Sequence, residues 1–82
     1  MGKSIMAEYY EKEVDFYREK IEWDTSQIDY YNEMLRWERK RYGFDTIEME
    51  QYKKERAYHY RSRRKNKTKM EKAMELLEKY SA

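Results

Sequence analysis

The chain has no cysteine and no proline, and among its 82 residues it has two glycines and one histidine. The absence of cysteine excludes a disulfide framework, a thiolate nucleophile and a thiolate metal site, and it fits the reducing interior of a bacterial or host cell. A single histidine excludes a histidine metal cluster within one chain. Two glycines provide neither a phosphate-cradling loop nor a dinucleotide fingerprint. We therefore expect no cofactor, no metal and no enzymatic activity.

Long hydrophobic runs are also missing. A membrane-spanning helix needs about 20 mostly apolar residues, whereas 44% of this chain is charged. The first six residues lead directly into charged residues, so the N-terminus has no hydrophobic signal core. We expect a soluble, cytoplasmic protein that does not contact a membrane.

Aliphatic side chains are scarce. Ile, Leu, Val and Phe together number ten, as many as the tyrosines alone. Such a composition favours disorder only when the net charge is large, and here it is +2. Charges of both signs alternate instead, as they do on solvated helix faces. We expect one small helical domain over residues 1–82, which is too short to bury much surface alone.

A sevenfold repeat organises the first half of the chain. Its main apolar row is Ala7, Val14, Ile21, Ile28, Leu35 and Tyr42. The neighbouring row, in the d position of the heptad, is Tyr10, Tyr17, Asp24, Tyr31 and Glu38. The pattern predicts one long helix over about residues 4–42. Residues 24–27 contain capping side chains, so a break near 24–26 is the alternative.

Turn signals follow at residues 43–45. Gly43 follows a turn that contains three basic residues, which is typical of a helix C-terminus. Asp45 with Glu48 matches a capping box and predicts a second helix over about residues 46–80. Thr68 with Glu71 matches another, so a break at 62–68 and a short third helix stay open. The predicted fold is all-α, an antiparallel hairpin of two long helices that dimerisation completes as a helical bundle.

The register of the hairpin predicts a buried charge pair. If both helices rise equally from a pivot near Phe44, the numbers of facing residues sum to roughly 88. Arg63 then lies near Asp24, the one acid in the middle of the first helix's apolar seam. We expect the two to pair and to define the register more than they add stability, because desolvation offsets most of their attraction.

A third row on the first helix is wholly aromatic and lies well away from the main apolar row. It consists of Tyr9, Phe16, Trp23, Tyr30 and Trp37. Aromatic residues at helical spacing are usually buried, and tyrosine and tryptophan dominate interface hot spots. We expect this row to form a self-association interface, with a different partner protein as the alternative.

The positive charge is concentrated in one segment. Residues 1–51 carry eight basic and thirteen acidic groups, residues 52–69 carry nine and one, and residues 70–82 carry two and three. Basic side chains neutralise phosphates, and neighbouring rings stack on bases. The predicted nucleic-acid-binding residues are Arg56, Tyr58, Tyr60, Arg61, Arg63, Arg64, Lys65, Lys67 and Lys69. The alternative is a solvated helix face.

Three hypotheses about the function are consistent with these sequence features. The leading hypothesis is a small accessory protein, of phage or mobile-element origin, that binds DNA or RNA through its basic second helix. The second is a protein-binding inhibitor or adaptor, such as a viral factor that blocks a host nuclease or defence protein with its acidic, aromatic first helix. The third is a purely structural coiled-coil subunit.

Overall fold

The structure, a computed structural model, describes residues 4–81 and consists there of two helices without a strand. Helix α1 runs from Ile5 to Tyr42 and helix α2 from Ile47 to Ser81. They pack against each other along a hairpin that measures 62 × 16 × 13 Å. This arrangement confirms the predicted all-α hairpin of two long helices. Residues 1–3 and 82 of the predicted domain lie outside the described residues.

Helix α1 begins at a serine cap and is continuous. The Oγ of Ser4 accepts a hydrogen bond from the backbone N–H of Ala7 at 3.1 Å, which satisfies one of the free donors of the first turn. No break occurs at residues 24–27. There the hydroxyl of Ser26 donates to the carbonyl of Glu22 at 3.0 Å, a bond back into the same helix, and Ser26 therefore does not cap a new one.

The reversal uses Gly43 as predicted. Its φ of 72° places it in the left-handed region, which a residue with a Cβ seldom adopts. Its N–H donates to the carbonyl of Arg39 at 2.9 Å and closes the last turn of α1.

The predicted cap of α2 is wrong by one residue. Thr46, and not Asp45, precedes the helix, and its Oγ1 accepts from the N–H of Met49 at 3.2 Å. The carboxylate of Asp45 instead accepts from the Nζ of Lys53 at 3.0 Å. This hydrogen bond, followed by one to Glu50, raises the pKa of Lys53.

Helix α2 is unbroken through residues 62–68, and the described chain contains no third helix. The hydroxyl of Thr68 donates to the carbonyl of Arg64 at 3.2 Å. It thus bonds backwards within α2, as serine and threonine do inside helices, and is not an N-cap.

The apolar core is thin and lies along the predicted seam. Its members are Ala7, Val14, Ile28 and Leu35 of α1 and Met49 and Ala73 of α2. Tyrosines extend it at two places. Tyr10 stacks on Tyr80 with 5.7 Å between ring centroids, and Tyr31 lies 6.0 Å from Tyr52. The main row of α1 is therefore buried over most of its length.

The predicted pair between Asp24 and Arg63 is wrong. Asp24 is buried and lies 2.9 Å from the Nδ1 of His59, whereas the guanidinium of Arg63 donates to the hydroxyl of Thr25 at 3.2 Å. The residue numbers of Arg63 and Thr25 do sum to roughly 88, as expected for facing positions. The error concerns rotation about the helix axis, because the row of Asp24 faces the row of α2 that contains His59, and Arg63 belongs to the next row.

Candidate nucleic-acid interface

The basic segment of α2 lies in the middle of the hairpin, and the structure distributes its side chains over more than one side. On one side, two neighbouring depressions between the helices share Lys69. We call them together the basic groove. It is lined by Tyr9, Tyr10, Glu13, Tyr17 and Lys20 of α1 and by Tyr58, Arg61, Ser62, Lys65, Asn66, Lys69, Lys72, Ala73 and Leu76 of α2.

Positive charge dominates the basic groove. Five of its lining residues are basic, namely Lys20, Arg61, Lys65, Lys69 and Lys72, and Glu13 is the single acid. On α2 the basic residues follow one another at spacings of four, four and three, which places them on one side of the helix about 6 Å apart. The groove therefore presents a continuous lane of cations.

Two of these cations were not predicted. Lys72 follows Lys65 by seven residues, so its helical phase was a signal in the sequence, although it lies beyond the densest basic run. Lys20 is on α1, and only the packing of the helices brings it opposite Lys65 and Lys69. It also lies over the ring of Phe16, with its Nζ 5.0 Å from the centroid.

The other side of α2 carries predicted residues that are bonded within the hairpin. Arg56 donates to the side-chain oxygen of Asn32 at 2.8 Å. Arg63 donates to Thr25, and its guanidinium carbon lies 5.3 Å from the ring centroid of Tyr60. These contacts hold the guanidinium groups against α1. Arg56, Tyr60 and Arg63 thus lie apart from the basic groove.

Arg64 and Lys67 are exposed but do not line the basic groove. Of the nine predicted residues, the groove brings together Tyr58, Arg61, Lys65 and Lys69. The distribution follows from the 3.6-residue period, since a run of neighbouring residues must point to all sides of a helix.

Aromatic rings flank the lane of cations. Tyr58 is 57% exposed and packs edge-on against the buried His59 at 5.2 Å. At the other end Tyr9 packs edge-on against Tyr10 at 5.1 Å, and its hydroxyl donates to the carboxylate of Glu13 at 3.0 Å. That hydrogen bond raises the pKa of Tyr9. Exposed rings beside cations are the combination that stacks on unpaired bases.

The hairpin also encloses a polar cluster between its helices. The Nδ1 of His59 and the Oδ1 of Asp24 form a hydrogen bond of 2.9 Å, in which the carboxylate oxygen accepts. Tyr31 stacks on His59 at 6.0 Å, and burial raises the pKa of Tyr31. The Oδ2 of Asp24 is buried and has no hydrogen-bond partner among residues 4–81. The cluster lies in the interface between α1 and α2.

Three acidic side chains of the first helix lie on a different surface. Glu8, Glu11 and Asp15 lie together with Lys12, away from the residues that line the basic groove. An approaching polyanion thus meets mainly cations in the groove. Over residues 4–81, no three acidic or histidine side chains converge as a metal site, and no helix in that range is apolar enough to cross a membrane.

The aromatic row of α1 lies outside the hairpin's core. Its five rings, Tyr9, Phe16, Trp23, Tyr30 and Trp37, all remain at least half exposed. At the turn end Trp37 lies among Glu33, Arg36, Lys40 and Arg41. Helix α2 therefore covers one side of α1 and leaves its aromatic row open.

Comparison with protein-family models, with curated proteins and with solved structures gave no significant match. The function is accordingly argued from the geometry of the hairpin and the chemistry of its two exposed surfaces.

Proposed function

We propose that the chain is a small, non-enzymatic helical protein that binds nucleic acid through the basic groove. The observation that carries the proposal is the convergence of five cationic side chains and a single carboxylate between the helices. Three of the cations come from the predicted basic run, and the packing of α1 against α2 adds Lys20.

The spacing of the cations suits a phosphate backbone. Steps of four residues along α2 separate Arg61, Lys65 and Lys69 by about 6 Å each. Phosphates along one strand of B-form DNA rise about 3.4 Å each along the axis and lie farther apart along the winding backbone, so successive cations of the lane can reach successive phosphates. Every phosphate that is neutralised releases counterions, which makes the binding favourable and dependent on salt.

The exposed rings support contact with bases as well as phosphates. Tyr58 and Tyr9 flank the lane and keep more than half of their surface accessible. Stacking of a base on an aromatic side chain is worth about 1 to 3 kcal/mol and tolerates any sequence. The proposal is therefore for binding with little sequence preference.

A matched pair of variants tests the groove. Arg61→Gln with Lys65→Gln removes two charges that line it, whereas Arg64→Gln with Lys67→Gln removes the same two charge types from the same run but outside the groove. Fluorescence anisotropy with labelled single-stranded DNA, duplex DNA and RNA, at about 50 and 200 mM salt, measures both. We expect roughly tenfold weaker binding for the groove variant and a salt slope reduced by up to about two.

The control variant should bind within about threefold of the parent, because Arg64 and Lys67 do not line the groove and so make no direct contact with a phosphate held there. Equal weakening by both variants would overturn the groove, since a diffuse basic face loses affinity wherever charge is removed. A parent that binds none of the three nucleic acids at low salt would overturn the proposal altogether. That result would favour the second hypothesis, a protein-binding inhibitor or adaptor whose contact surface is the aromatic row.

A further inference from the structure

The aromatic row of α1 is an exposed surface that the proposed function does not use as a whole. The exposed fractions are 53% for Tyr9, 52% for Phe16, 61% for Trp23, 50% for Tyr30 and 68% for Trp37. One ring occurs every seven residues, or about every 10.5 Å, over nearly the whole of α1. A large aromatic side chain buries about 150 to 250 Å² when covered, so these rings leave on the order of 500 Å² open to water.

The solvent-accessible surface area of the hairpin shows how much area is available for contact with a partner. The chain exposes 6731 Å². A folded monomer of 10.5 kDa has about 5,400 Å², so this hairpin exposes roughly 1,300 Å² more. The excess follows from the shape, because a two-helix rod of 62 × 16 × 13 Å cannot wrap around its own core. A standard dimer interface removes about 800 Å² from each partner, which lies within this excess.

We infer that the aromatic row binds a second copy of the chain, with the two α1 helices antiparallel about a two-fold axis at Trp23. The row is symmetric in position about its central ring, with two rings on each side at spacings of seven. In this arrangement Tyr9 packs on the partner subunit's Trp37 and Phe16 on the partner subunit's Tyr30. Each contact occurs twice, as a two-fold interface requires.

Charge along α1 selects the antiparallel orientation. Residues 5–22 carry six acidic and three basic groups, whereas residues 33–42 carry two acidic and four basic groups. Antiparallel packing places the acidic part of one helix beside the basic part of the other, and it brings Lys12 within one residue of the position that faces the partner's Glu33. Parallel packing would instead place Lys40 and Arg41 of the two copies side by side, which like-charge repulsion opposes.

The inference is independent of the proposed function. The lane of Arg61, Lys65 and Lys69 lies on α2, and Tyr9 is the one member of the row that also lines the basic groove. A dimer through α1 therefore leaves the cations of each lane open but covers Tyr9, so Tyr58 is the exposed ring that remains beside the lane for stacking.

Two tyrosines with similar surroundings test the surface. Tyr30 in the row is 50% exposed and packs edge-on against Tyr31, and Tyr58 outside the row is 57% exposed and packs edge-on against His59. We expect analytical ultracentrifugation to show a dimer for the parent and at least a tenfold rise in the dissociation constant for Tyr30→Ala. Tyr58→Ala should dimerise like the parent. Circular dichroism at the same concentrations checks that both variants remain helical.

Cross-linking tests the orientation, because the chain has no cysteine of its own. Lys12→Cys and Glu33→Cys place thiols about 31 Å apart along one helix. With a short bismaleimide, antiparallel packing cross-links a mixture of the two variants and leaves each variant alone unlinked. Cross-linking of each variant with itself would overturn the antiparallel arrangement, as would no cross-link in the mixture. A parent that stays monomeric at millimolar concentration, or equal dimerisation of Tyr30→Ala, would overturn the surface itself.

Discussion

The two ends of the hairpin and its middle are held together by different physics. At the ends, apolar residues such as Leu35, Met49 and Ala73 are buried, and Tyr10 stacks on Tyr80. In the middle, Asp24, His59 and Asn66 are buried together with the apolar Ile28, and Arg63 donates to Thr25 across the interface. Burial of apolar surface is non-directional, so it survives if one helix slides by a turn along the other. Hydrogen bonds between specific side chains are lost by such a shift. The apolar ends therefore supply stability, and the polar middle selects one register.

Selecting one register has a free-energy cost in the middle of the hairpin. Two polar side chains lose their water when Asp24 and His59 are buried, and the Oδ2 of Asp24 gains no partner within residues 4–81. An unsatisfied buried acceptor costs about 1 to 3 kcal/mol. We therefore expect the pair to add little net stability. Removing only one of its two partners should nevertheless lower the free energy of unfolding strongly.

The largest predicted effect comes from breaking the polar pair on one side only. His59→Leu leaves the buried carboxylate of Asp24 without its donor, and we expect the free energy of unfolding to fall by about 3 kcal/mol or more. Chemical denaturation at neutral pH measures the change.

The matched double variant, Asp24→Leu with His59→Leu, removes both polar groups. It should be as stable as the parent or more stable, since apolar replacement of a buried pair is often neutral or favourable. It should also permit alternative registers, which would show as line broadening or extra peaks in NMR spectra. A double variant that is less stable than His59→Leu alone would contradict this division between ends and middle.

The next effect concerns the apolar end near the turn. Leu35 is 3% exposed, and Leu35→Ala should lower the free energy of unfolding by about 2 to 3 kcal/mol through lost burial and the cavity left behind. Ile47 is 80% exposed at the same end and provides the control, because Ile47→Ala should change stability by less than about 0.5 kcal/mol. Thermal unfolding of both variants would refute the assignment if the two losses were similar.

The smallest effect is expected where the two regions meet, at Tyr31 between Tyr52 and His59. Burial, and then the charge of Glu55, raise the pKa of Tyr31, so the folded state holds the phenol proton more tightly than the unfolded state does. This contribution to stability is present below the ordinary tyrosine pKa of about 10 and is lost as pH rises through the folded value. Denaturation from about pH 9 to pH 11 should therefore show a smaller loss for Tyr31→Phe than for the parent. If the parent and Tyr31→Phe lose the same stability over this pH range, groups other than Tyr31 cause the loss.

Much of the fold could be predicted because its signals are local. The apolar row from Ala7 to Leu35, with one residue every seven, specified the buried side of α1, and Gly43 specified the reversal. The N-cap residue of α2 was harder to predict from the sequence. Asp45 and Thr46 are both good N-caps, and the interaction of Asp45 with Lys53, two turns into α2, is visible only in the folded chain.

The candidate site was predicted in part for the same reason. Tyr58, Arg61, Lys65 and Lys69 belong to one side of α2, but the sequence run includes Arg64 and Lys67, which face elsewhere. Counting charge along a segment ignores helical phase. Lys20 of α1 enters the basic groove only through packing.

By itself, the sequence determined the two helices, their turn and the apolar seam, because these depend on hydrogen bonds, capping and periodicity within a few residues. The tertiary structure alone decided that Asp24 meets His59, that Arg63 meets Thr25, and that Lys20 joins the cations of α2. Each of these depends on how far one helix is rotated about its axis relative to the other. That angle is set by all the side chains along the interface together, so no short stretch of sequence contains it.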